Sequence, residues 1–272
     1  MEPPAAPAIE PRKLSTLAAL VLLAYCLVRV VPLPSTSVTP TLLGIAVRVD
    51  LNATALLLIL AASLAVAGTD WIIRSHPRAA GLRPSFEHWI IPGLAALALG
   101  GIVIRLPYGV WFWVGLALSA GLLVAVVQAE FIALDREDPR FDWAAISLRA
   151  LAWLLLLGAL FGIRVSAPRA ILSLPLVFIG VTCVTWRLLR LDEPVTSAWL
   201  DAVLVGMASS QVDWGLHYWP VAPIRQALLI GLLAYVLVNL ILAFRQGRLG
   251  RARLTEIGIV GALALLGLLL LS

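Results

Sequence analysis

The stretch from Thr196 to Arg225, TSAWLDAVLVGMASSQVDWGLHYWPVAPIR, is an apolar span that also carries carboxylates, an amide and a histidine. An ionised carboxylate at the centre of a bilayer costs about 2.5–3.5 kcal/mol on insertion scales, so it is expected to face protein or water rather than lipid. Asp201 sits near the start of this span, where it would serve as a proton or cation relay or as a structural ion pair with Arg149 or Arg187. Glu130, at the end of the fourth apolar run, and Glu256, at the start of the ninth, are expected at the same surface. Asp201, Glu130, Glu256 and Arg149 are therefore the candidate proton or ion site.

At the other end of the stretch, Asp213 and His217 are four residues apart, a spacing that brings both to one side of a helix. With Trp219 and Arg225 they outline a candidate outer polar pocket. The plainer reading is an anchor in the headgroup layer. A metal site would need further ligands, and His76 and His88 fall at the opposite surface, so no metal and no cofactor is expected.

These residues must be positioned by helices. Ala198, Ala202, Gly206, Ser209, Ser210, Asp213 and His217 return to one face at steps of three and four, whereas Trp199, Val203, Met207 and Trp214 fall elsewhere. The pattern predicts a helix that turns a narrow side toward its neighbours and a bulky side toward lipid.

Hydrophobic residues make up 61% of the 272 positions and charged ones 13%, with a mean hydropathy of +1.00. Globular domains carry about 45–50% apolar residues, so the composition excludes an ordinary soluble protein. The expected fold is all-α: a polytopic transmembrane helix bundle with short loops and no soluble domain. About nine spans of about 20 residues are read, near residues 14–31, 51–68, 89–104, 111–134, 145–163, 170–188, 196–214, 224–244 and 254–271. If the seventh lies on the surface, there are eight. Residues 1–13, rich in Pro and Ala, read as a disordered cytoplasmic tail, and residues 14–272 as a single helical domain. The first apolar run lacks a clear small-x-small cleavage site and is read as retained.

Positively charged loops resist translocation. With the N-terminus inside, fourteen of the 20 basic residues fall inside, which predicts N-terminus in and C-terminus out. Thirteen of the 15 carboxylates also fall inside, so the outer rim keeps more of the net charge of +5, and anionic lipids or other membrane proteins are its expected partners. Tryptophans near both sets of span ends fit interfacial belts.

Cys26 and Cys183 lie in separate apolar runs without metal-type spacing and read as small hydrophobes. The loop ALDREDPRFDW alternates charges around Pro139 but lacks the ligand pattern of a calcium loop, and reads as a solvated turn. Tyr235, Asn239, Thr182 and Thr185 read as hydrogen-bonding glue between helices. P-loop, G-x-S-x-G and H-E-x-x-H signatures are absent, and nothing in the charge pattern calls for nucleic acid.

From about Glu130 onward, EFIALDREDPRFD, DWGLHYWPVAPIRQALLIGLLAYVLVNL and RQGRLGRARLTEIG resemble an uncharacterised family of bacterial multi-pass membrane proteins, a domain of unknown function. The resemblance implies a bacterial inner membrane and a helical bundle, and it transfers no catalytic or binding residue. The expected function is a non-enzymatic structural or accessory membrane component. The alternatives are a small permease or ion-coupled carrier that uses Asp201, Glu130 or Glu256, and an interfacial enzyme that acts on lipid through Asp213 and His217.

Overall fold

Long apolar runs, bounded by Pro, Gly and charged residues, become helices in the computed structural model, which describes residues 9–30, 53–79, 86–166, 170–192 and 198–247, with short pieces between 36 and 51 and isolated positions from 250 to 266. The helices are α1 (Pro11–Val30), α2 (Ala53–Ile73), α3 (Glu87–Val103), α4 (Val110–Ile132), α5 (Phe141–Ser166), α6 (Ala170–Asp192), α7 (Ala198–His217) and α8 (Pro223–Arg245). Each falls on one of the first eight expected spans, and most run a few residues past it. Helix α1 starts at Pro11, inside the segment expected to be disordered; proline suits a first helical position because its missing N–H would be unpaired there anyway.

Two features differ from the expected all-helical, nine-span chain. Between α1 and α2, β1 (Thr36–Val38) pairs antiparallel with β4 (Val49–Leu51), and β2 (Thr41–Leu42) with β3 (Ile45–Ala46). Both ladders keep one register, and the β-branched residues of this segment favour extended backbone. Among the described residues six helices, not nine, are long and apolar enough to cross a membrane: α1, α2, α4, α5, α6 and α8. Helix α3 is apolar but has 17 residues. Helix α7 has 20, diluted by Asp201, Ser209, Ser210, Gln211 and Asp213. The expected ninth span and Glu256 lie largely outside the described residues.

The chain divides into two compact units, Met1–Leu148 and Arg149–Ser272. In the first, α1 packs on α2 and α4, α2 on α3, and α3 on α4. Residues at steps of three and four on α1, Leu14, Leu17, Val21 and Tyr25, meet Ala61, Ala65 and Ile72 of α2 and Leu123, Val127 and Phe131 of α4 in one core. Tyr25 donates its hydroxyl to the Ala96 carbonyl of α3 at 2.5 Å. In the second unit α6 lies along α7, and α8 packs on both.

Only 22–39% of each crossing-length window is buried, so most of its apolar side chains point outward, as lipid contact requires and water would penalise. On α7 the division predicted from spacing holds for most positions: Ala198, Ala202, Gly206, Ser209 and Asp213 are buried, while Trp199, Met207 and Trp214 are exposed. Ser210 and His217, placed on the same face by spacing, are half-buried.

Candidate functional site

One end of the first unit gathers polar groups from the start of α3, the end of α4 and the adjoining loops. His88 Nδ1 lies 2.7 Å from Glu130 Oε2, and His88 Nε2 lies 3.7 Å from Glu87 Oε1. Glu130 is 0% exposed and His88 5%. A carboxylate at this depth needs a donor, and the imidazole supplies one from 42 residues away in sequence. His88 was not a predicted partner, since nothing in local spacing links it to Glu130.

Beside this pair, the loop after α4 is a turn with Arg136, Glu137, Pro139 and Arg140 exposed, as expected, but several of its charges are paired. Arg78 bridges Asp135 at 2.7 Å and also pairs with Glu137, tying the α2–α3 connection to the α4–α5 connection. Asp138 is buried; it accepts from the Arg140 backbone N–H and Nε on one oxygen and from Nη2 on the other. His76 is buried edge-on against Phe131, with its Nδ1 accepting the Arg78 backbone N–H. Arg78 thus clips the two connections together.

Hydrogen bonds from the Arg140 side chain, then from its backbone, hold the Asp138 carboxyl below the usual carboxylate range. Burial pushes the His76 imidazole below its ordinary value, against the opposing pull of Asp135. Both groups bind protons less readily when folded, so both contribute stability at neutral pH. The His76 contribution is full above about pH 6.5 and is lost as pH falls through its folded value; that of Asp138 follows below about pH 4. Melting of the purified protein should therefore fall between pH 7 and 5, and His76→Gln should flatten that part of the curve while leaving the drop below pH 4. An unchanged slope in His76→Gln would refute the assignment.

The second unit carries the remaining candidates. Asp201 pairs with Arg245 of α8, not with Arg149 or Arg187 as expected; Arg149 pairs instead with Asp192 at the end of α6. The antiparallel turn between α7 and α8 brings the start of one beside the end of the other, a proximity that sequence depth alone does not reveal. Of the proposed proton or ion site, Glu130 thus belongs to the first unit with His88, and Asp201 and Arg149 belong to the second in separate pairs.

At the other end of the second unit, Asp213 and His217 take different partners. Asp213 is 3% exposed and accepts from Gln226 Nε2 of α8 at 2.6 Å and from Ser173 Oγ of α6 at 3.3 Å. His217 meets Arg164 of α5, whose Nη1 is 3.0 Å from its Nδ1. Trp219 is exposed and Arg225 half-buried. The surface pocket expected from spacing is therefore a buried carboxylate cluster beside a more exposed Arg–His contact.

Gln226 was missed, although the sequence held a signal for it. It shares the spacing of Ile230, Ala234 and Val238, all buried, so an amide at that position had to point inward. Asn239 does not bridge helices as expected; it donates to the Tyr235 carbonyl of its own helix, and Tyr235 packs edge-on against Trp153 of α5. Among the described residues no group of three or more His, Cys, Asp and Glu side chains could hold a metal ion.

Fold and site together define a helical protein with membrane-span-like helices and polar clusters buried between them. The chain belongs to the DUF5656 family, described as a protein of unknown function, whose pattern matches residues 33–271. The match includes the resemblance seen from Glu130 onward and extends it through most of the first half. Neither the curated proteins nor the solved structures yield a significant match.

Proposed function

We propose that the chain is a multi-pass integral protein of the bacterial inner membrane that acts as a non-enzymatic structural or accessory component. The observation that carries this reading is internal charge matching in the second unit, where Asp201 meets Arg245 and Arg149 meets Asp192. Charges matched in this way hold helices in register and need no substrate to complete them. Narrow faces such as that of α7 serve the same purpose. The proposed threading places the N-terminus in the cytoplasm and the C-terminus outside, with lipids or other membrane proteins at the outer arginines.

Two measurements test it. Reporter tags at the two ends should localise to opposite compartments; both in the same compartment would refute this orientation. Purification in native lipid should recover a partner membrane protein, with solute fluxes of a deletion strain unchanged. A flux lost on deletion and also lost in Glu130→Gln would favour the second reading, an ion-coupled carrier, which rests on the buried His88–Glu130 pair. The reading as a lipid-acting enzyme through Asp213 and His217 draws little from the geometry, because the two side chains engage different partners.

A further inference from the structure

The α6–α7–α8 junction holds a buried carboxylate whose hydrogen-bond partners among the described residues are neutral, Ser173 and Gln226. Asp213 is 3% exposed, and among the described residues no arginine, lysine or histidine forms an ion pair with it. Arg164 of α5 is directed to His217 through both Nη1 and Nη2. Two further oxygens nearby have no hydrogen-bond partner: Oε1 of Gln226, 1% exposed, and Oγ of Ser209, 0% exposed. Gln226 commits its amide N–H to Asp213, so its own oxygen belongs to the same cluster. Ser209 lies one turn from Asp213 on the buried face of α7. Ser173 Oγ completes the set with two long bonds, each 3.3 Å, to Asp213 and to the Ala170 carbonyl, which leaves its lone pairs available.

A buried carboxylate without a counter-charge costs several kcal/mol, and each unsatisfied buried acceptor adds about 1–3 kcal/mol. One bound cation would relieve all of them. The donors are oxygens throughout, which suits hard cations, and they carry one formal negative charge, which a single positive charge neutralises while a divalent ion would leave an excess. We propose that Asp213, Gln226, Ser209 and Ser173 form a binding site for one monovalent metal cation of the sodium type. The site stands apart from the matched ion pairs that support the structural reading, and its failure would leave that reading intact.

The test is thermal unfolding of the purified full chain in sodium, potassium, lithium and choline chlorides at equal ionic strength and fixed pH. The wild type should melt higher in sodium than in choline, with a saturable rise on the order of 5 °C at about 100 times Kd. Asp213→Asn, which removes the charge but keeps the shape, should lose the response. Ser209→Ala should weaken the apparent affinity roughly tenfold, the effect of one lost ligand of about 1.4 kcal/mol. Ser210→Ala should keep it, because that hydroxyl is already bonded to the Met207 carbonyl. If Asp213→Asn does not fold, the contrast between Ser209→Ala and Ser210→Ala decides. Equal melting of the wild type in all four salts overturns the proposal, as does a sodium response that survives in Asp213→Asn. Melting that follows pH but not the salt would show a proton, not a metal cation, at Asp213, and would equally overturn it.

Discussion

Gly206→Leu is expected to lower the melting temperature more than any other glycine substitution in α7. A Cβ at Gly206 would overlap Thr182 Oγ1 and come within 2.9 Å of the Phe178 carbonyl of α6. Thr182 is β-branched and stiff at χ1, and the carbonyl is backbone, so neither can yield without moving the helix. Even Ala should cost about 1–3 kcal/mol, less the gain in helix propensity of up to about 1 kcal/mol, and Leu should cost more. For a chain of this size each kcal/mol shifts melting by about 2–4 °C. Gly215, on the same helix, is the control, since a Cβ there meets nothing within 4 Å. Equal melting of Gly206→Leu and Gly215→Leu would show that α6 and α7 are not in close contact at this point.

Loss of His88 should be the most costly single change in the first unit. In His88→Leu the Glu130 carboxylate, 0% exposed, loses the imidazole 2.7 Å away. Removing one partner from a buried pair typically costs about 3–5 kcal/mol, because the desolvated charge stays behind. The double variant His88→Leu, Glu130→Leu removes the charge as well and should recover most of the loss. This ordering, with the double variant more stable than the single, distinguishes a coupled buried pair from simple packing. If the two effects add in denaturant unfolding, the pair is not energetically coupled and the assignment fails.

The same contrast governs what was legible without coordinates. Position on a helix is a local property, set by the 3.6-residue period, and the sequence therefore fixes which side of α7 carries Ala202, Gly206, Ser209 and Asp213. It also marks the eight helices, because hydrophobic runs between Pro, Gly and charged punctuation are local. Among the described residues two expected spans fall short of crossing length and hydropathy: α3, which has 17 residues, and α7, whose polar content already made the seventh span the doubtful one.

Partner identity is not local. Asp201 could be assigned a depth from its place in the chain, yet its pairing with Arg245 depends on which helix lies beside α7 at that depth. His88 with Glu130, Arg78 with Asp135, and Asp213 with Gln226 and Ser173 arise in the same way, from helix neighbours that the period along one helix cannot specify. The sequence by itself determined a greasy helical chain and the face each polar residue occupies; tertiary structure decided which of those faces meet. The reason is that hydrophobicity and helical period act along the chain, whereas a hydrogen bond requires two atoms within about 3 Å, and only packing brings together residues tens of positions apart.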